Sequence, residues 1–152
     1  MTRGLSCVLV ALAALALLAG CGKSEQQKYL GKMNAIAKQL GTDERAVTQG
    51  GRPTSLPEAS TQFKKLQTVF KNTAQKFQDV SAPSKVKDLH QRLIDVVRSF
   101  ADALTPAIQA ADAGDLARFR SASTAFTGGL SKFQESIDSL RRDFRARGYK
   151  LK

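Results

Sequence analysis

From Ser24 onward the apolar residues recur in alternating steps of three and four, and no segment alternates with period two. Residues three or four apart share one face of a helix, whereas a half-buried strand needs every second residue apolar. The pattern restricts this chain to helices that each bury one stripe. The first runs over residues 24–40, with Tyr29, Leu30, Met33, Ile36, Ala37 and Leu40 on one face and Gly41 as a C-terminal stop. Residues 42–47 have room for one further turn before the breaker-rich connection Gln49-Gly50-Gly51-Arg52-Pro53-Thr54-Ser55.

A second helix opens at Ser55-Leu56-Pro57-Glu58, a capping box with proline in the first turn. Its stripe is Leu56, Ala59, Phe63, Leu66, Phe70, Phe77 and Val80, with Thr73 in the one remaining place. Ser81-Ala82-Pro83-Ser84 interrupts the chain, and Ser84 is suited to cap a third helix bearing Val86, Leu89, Leu93, Val96, Phe100, Ala103 and Ala107. Pro106 lacks a donor and clashes with the carbonyl four residues back, so a kink is expected near Asp102. Ala113-Gly114-Asp115 ends this helix and caps a fourth, striped by Leu116, Phe119, Ala122, Phe126, Leu130, Phe133, Ile137, Leu140 and Phe144. Gly128-Gly129 interrupts the fourth helix at about 1 kcal/mol per glycine relative to alanine. Close approach of a neighbouring helix is the expected reason, with a hinge as the alternative.

Four stripes joined by short breaks predict an all-α, up-and-down four-helix bundle. It has a short first helix and three long ones, the third kinked near Pro106. The later helices, about 25 to 33 residues each, would span roughly 35 to 50 Å, leaving one end only three helices thick. A helical hairpin pair with a loosely docked first helix is the alternative.

The residues before the first helix carry a different message. Met1-Thr2-Arg3 precedes an apolar run over residues 5–18 that closes with Leu18-Ala19-Gly20-Cys21. A short basic start, an apolar stretch and a small-residue cleavage site describe a secretory signal peptide, whereas a membrane span needs roughly 20 apolar residues. Leu18-Ala19-Gly20-Cys21 also resembles the lipobox of bacterial lipoproteins, a resemblance confined to the first 21 residues. It implies diacylglycerol transfer to the Cys21 thiol, cleavage before it, and a mature chain over residues 21–152. The expected division is residues 1–20 as signal peptide, 21–23 as a lipid-anchored N-terminus and 24–152 as one helical domain. An aspartate after the cysteine would favour the inner membrane of a Gram-negative cell. Gly22 there implies an outer-membrane anchor facing the periplasm, or the outer face of the cell membrane in other bacteria. Beyond the lipobox, the chain resembles small uncharacterised helical-bundle lipoproteins in architecture alone.

Lipidation would leave the folded domain without a thiol, because Cys7 departs with the signal peptide and Cys21 carries the lipid. The chain holds 24 Lys and Arg against 13 Asp and Glu, a formal +11, and only Arg3 is lost with the signal peptide. An exported, tethered protein does not meet nucleic acid, so anionic lipid, an envelope polymer or an envelope protein is the expected partner. If the helices alternate direction from Cys21, the C-terminus of the fourth returns to the bilayer, level with the turn near Lys76, Lys85 and Lys87. Arg141, Arg142, Arg145, Arg147, Lys150 and Lys152 are the candidate contacts with an anionic surface. The first three also complement the helix dipole, at about 0.3–1 kcal/mol each; the last three lie beyond the strong stripe.

Catalytic chemistry is sparse. His90 is the one histidine, Glu occurs only at positions 25, 44, 58 and 135, and there is neither a Gly-x-Ser-x-Gly elbow nor a phosphate-binding glycine loop. Met33 and His90 could in principle ligate a heme at similar heights in the bundle. A core methionine and a border histidine account for them without a cofactor. No cofactor or metal is expected, and the reading is a non-enzymatic adaptor, scaffold or accessory subunit of the envelope. The alternative is a module binding a small apolar or anionic ligand between helices, near Pro106 or Gly128-Gly129.

Overall fold

The computed structural model describes residues 24–151, and among them every regular element is helical. α1 (Glu25–Thr48) and α2 (Leu56–Gln78) are followed by a 3-10 turn over Ser84–Val86, then α3 (Lys87–Asp102), α4 (Thr105–Asp112) and α5 (Leu116–Ala146). The chain is therefore all-α, its helices associated as a bundle. α1 packs along α2, α2 along α3 and α4, and α5 along both α3 and α4. The signal peptide, the lipobox with Cys21, and Lys152 lie outside the described residues.

The first helix corrects the expectation of a short one. Ser24 begins α1 with a capping box: its Oγ accepts from Gln27 N at 3.2 Å, and Gln27 Oε1 accepts from Ser24 N at 3.1 Å. Gly41 does not stop the helix; Gly51, at φ +85°, makes the left-handed turn instead. Gly41 costs the helix about 1 kcal/mol against alanine, which the packing of α1 along α2 offsets. Here the Gln62 amide on α2 donates to the carbonyls of Val47 (3.3 Å) and Gly51 (3.2 Å), tying the far end of α1 to its neighbour.

Two caps also differ from expectation. The Glu58 carboxylate accepts from the backbone N–H and hydroxyl of Thr54, both at 2.8 Å, so its half of the capping box is displaced outward by one residue. Ser55 Oγ still accepts from Glu58 N at 3.4 Å. Ser84 makes no side-chain cap; it lies within the 3-10 turn that leads into α3.

Pro106 separates α3 from α4, with Ala103 and Leu104 between them in right-handed conformation. Proline occupies the second position of α4, where its missing N–H has no helical partner to lose. The Gln67 amide reaches across from α2 to the Ala101 carbonyl and Thr105 hydroxyl, both at 3.0 Å, and satisfies polar groups at the break. Gly114 (φ +70°) ends α4, with Asp115 N–H donating to Ala110 O at 3.0 Å and Gly114 N–H to Ala111 O at 3.1 Å. That is a Schellman turn, and the Asp115 carboxylate then caps α5 by accepting from Arg118 N at 2.9 Å.

The core is dense near the start of α1 and thins toward the start of α5. Tyr29, Met33, Phe77, Val86, Leu89 and Phe144 are all buried at the first end. α5 fully buries only Leu140 and Phe144, although it is 31 residues long. Higher up, phenylalanines seven residues apart face one another: Phe63 and Phe70 on α2, Phe119, Phe126 and Phe133 on α5, with Phe100 of α3 between them. The Phe100–Phe133 and Phe100–Phe126 ring centres lie 4.3 and 5.1 Å apart. Aromatic pairs at such spacing add about 0.5–1.5 kcal/mol beyond their buried area.

Candidate functional site at the basic end of the bundle

A second Schellman turn builds the basic end. Gly148 (φ +88°) follows α5, Gly148 N–H donates to Arg145 O at 2.9 Å, and Tyr149 N–H donates to Phe144 O at 2.8 Å. The turn sends Tyr149 back into the core, 6% exposed, against the ring of Tyr29 at 5.8 Å. Gln26 Nε2 donates to Gly148 O at 2.7 Å. The start of α1 and the end of α5 are thereby joined, with Tyr149 in the core and Leu151 packed against it.

His90 of α3 lies under this junction. Its Nδ1 is 3.0 Å from the buried Tyr29 hydroxyl. Burial lowers the His90 pKa below its ordinary value, so the ring is neutral at pH 7. Neutral imidazole with Nδ1 accepting from the phenol carries its proton on Nε2. Nε2 is buried with no hydrogen-bond partner among the described residues, and the Phe77 backbone offsets only part of the lowering by burial. Burial, with the neighbouring Tyr149, pushes the Tyr29 pKa up, so the phenol stays protonated. Met33 is buried in the same core, and among the described residues no cluster of three His, Cys, Asp or Glu side chains has metal-binding geometry.

The candidate cations divide into two groups. Arg147 grips Asp88 at the start of α3 through two bonds, 2.5 Å to Oδ1 and 2.7 Å to Oδ2, and donates to Lys85 O at 2.8 Å. Arg147 is therefore a fastener between α5 and the α2–α3 turn, and it holds the Asp88 carboxyl below the ordinary carboxylate range. Arg141 pairs with Asp138 at 3.4 Å, within its own helix. Arg142, Arg145 and Lys150 are exposed and pair with no carboxylate among the described residues. Lys85 and Lys87 are also exposed at this end. Asp88 and Tyr149 were not legible as functional from the sequence. Glycine at position 148 was the one available signal, since it marks a helix end that can turn the chain back.

A second feature lies higher, between α3, α4 and α5. A groove of about 540 Å³ is lined by Val96, Phe100, Pro106, Phe126, Gly129 and Phe133, with Asp95, Ser99 and Lys132 also on it. Gly128 and Gly129 do not mark a close helix crossing. A Cβ at either position would meet nothing within 4 Å, and α5 continues unbroken through both. Gly129, which lines the groove, opens it instead of narrowing it.

No helix of the described residues is long and apolar enough to cross a membrane. Comparison with known protein families, curated proteins and solved structures gives no match for this chain.

Proposed function

We propose that this chain is a lipid-anchored, non-enzymatic protein of the bacterial envelope. It is held at Cys21 and acts as an adaptor, scaffold or accessory subunit through a bundle face and its basic end. An up-and-down run of helices would carry the C-terminus back toward the anchor. The observation that supports this most is the junction of Gln26 with Gly148, with Arg142, Arg145 and Lys150 exposed around it. Cys21 precedes Ser24 by three residues, which span at most about 11 Å of extended chain. A lipid on Cys21 would bring these cations to the headgroup layer, where each contributes about 1 kcal/mol on an anionic surface. Acyl chains alone add about 0.8 kcal/mol per buried methylene, so the anchor sets residence and the cations set orientation.

Cys21→Ser tests the anchor. The substituted chain should leave the membrane fraction or remain an uncleaved precursor; normal processing and anchoring would overturn the lipoprotein reading. Photo-crosslinking in cells from single positions around the bundle tests the adaptor role. A discrete protein adduct from one face is expected, and none from any face would overturn it.

The second reading, a module binding a small ligand between its helices, is favoured by the groove beside Pro106 and Gly129. Its volume lies within the range of about 300–1,000 Å³ usual for ligand sites.

A further inference from the structure

We infer that the groove between α3 and α5 binds a single-chain anionic amphiphile, its acyl chain along Phe100, Phe126 and Phe133 and its head on Lys132. The inference rests on the second reading above and gives it a ligand class. Shape argues for a chain. The groove follows α3 and α4 from Asp95 to Pro106 and α5 from Ala122 to Ser136, a length of roughly 15–20 Å at the helical rise. It is therefore a slot, suited to an extended molecule rather than a compact ring system.

Its floor is apolar and firm. The Phe100 ring lies between Phe126 and Phe133, tilted against both with centres at 5.1 and 4.3 Å, while the two α5 rings remain only half-buried and line the slot. Ala122, Ala125 and Gly129 on the α5 wall leave the volume unfilled, and the space over Gly129 is open to at least 4 Å. Polar groups are confined to the lining residues Asp95, Ser99, Lys132 and Ser136. Asp95 accepts from the Gln91 amide at 2.9 Å, and Ser136 Oγ donates to the Lys132 carbonyl at 2.8 Å. The Lys132 ammonium pairs with no carboxylate among the described residues. Lys132 is the one cation among the described lining residues and Asp95 the one anion; a single negative head matches Lys132, and the apolar length of the slot matches its chain. A fatty-acid carboxylate and a lysolipid phosphate share that chemistry.

The test uses the full chain in its membranes, incubated with a diazirine-bearing palmitate and, separately, with the corresponding alcohol; labelled peptides are mapped by mass spectrometry. Acid label should concentrate on peptides covering residues 95–106 and 122–136. Gly129→Leu should remove it by filling the slot. Leucine is the better helix former, so the thermal midpoint should not fall and lost labelling cannot be ascribed to unfolding. Lys132→Gln should reduce acid labelling about two- to fivefold, as for an exposed ion pair, and leave alcohol labelling unchanged. Competition by unlabelled palmitate and by lysophosphatidylglycerol then decides between carboxylate and phosphate heads. Label spread over all helices, or unaffected by Gly129→Leu, overturns both this inference and the second reading. Alcohol labelling equal to that of the acid overturns the anionic head alone. Neither result depends on whether Cys21 carries a lipid.

Discussion

Tyr29 and His90 show how one buried hydrogen bond couples distant parts of a chain. They are 61 residues apart in sequence, and their 3.0 Å contact joins α1 to α3. Tyr29→Phe removes the donor and leaves a buried ring nitrogen without it, which should cost about 1–3 kcal/mol in chemical denaturation. The pH dependence follows from the lowered pKa of His90. The unfolded histidine binds a proton more readily than the folded one, so stability is greatest above the ordinary value of 6.5 and falls as the pH drops below it. A His90→Gln chain should lose that dependence between pH 7 and 5; an unchanged slope there would exclude His90 as its source. Asp88 acts in the same sense, at lower pH. Held low chiefly by its hydrogen bond to Arg147, it stabilises the fold above the ordinary carboxylate range and stops doing so in stronger acid. A lone histidine on a stripe edge was legible in the sequence. Its partner was not, because nothing local to His90 encodes the register of α1 against α3.

At the scale of the element, glycine has opposite meanings within one chain. Gly129 sits in helical conformation beside open space, so Gly129→Ala should stabilise the protein by about 0.5–1 kcal/mol through helix propensity alone. Gly114 and Gly148 have φ of +70° and +88°. Alanine there forces a side chain into the left-handed region, and each substitution should cost about 1–2 kcal/mol. Thermal melting of the three variants checks both signs. The helical stripes and the Asp115 cap were readable because each depends on residues within one or two turns; Pro106 marked a kink in a single third helix, where the structure has two helices, α3 and α4. The length of α1 was not readable. Gly41 is a plausible stop by itself, and only packing along α2, with Gln62 on the Val47 carbonyl, carries the helix past it.

For the molecule as a whole, the consequence is an unequal bundle with a tight end and a loose one. Near the start of α1, buried aromatics, the Arg147–Asp88 pair and the Gln26–Gly148 bond close the structure. Along the first part of α5, Leu116 and Leu130 remain 47% and 41% exposed. Charge substitutions should separate fastening from surface attraction. Changing Arg142, Arg145 and Lys150 together to Gln should weaken binding of a Cys21→Ser chain to anionic vesicles by roughly 1 kcal/mol per cation at low salt, with little change in melting. Arg147→Gln should do the reverse, lowering the melting temperature while vesicle binding changes less. Equal behaviour of the two variants would sink the division of the cations into two groups.

The order of apolar and breaking residues by itself determined that this chain is helical, roughly where its helices lie, and that its charge is strongly basic. Those properties arise from side chains three or four places apart, or from simple sums over the chain. Tertiary structure alone decided that Tyr149 enters the core, that Arg147 is a fastener while Arg145 is free, and that Gly129 opens a groove. Each of these depends on which residues meet across helices. Crossing and register are set by the packing of whole faces, and no short stretch of sequence contains them.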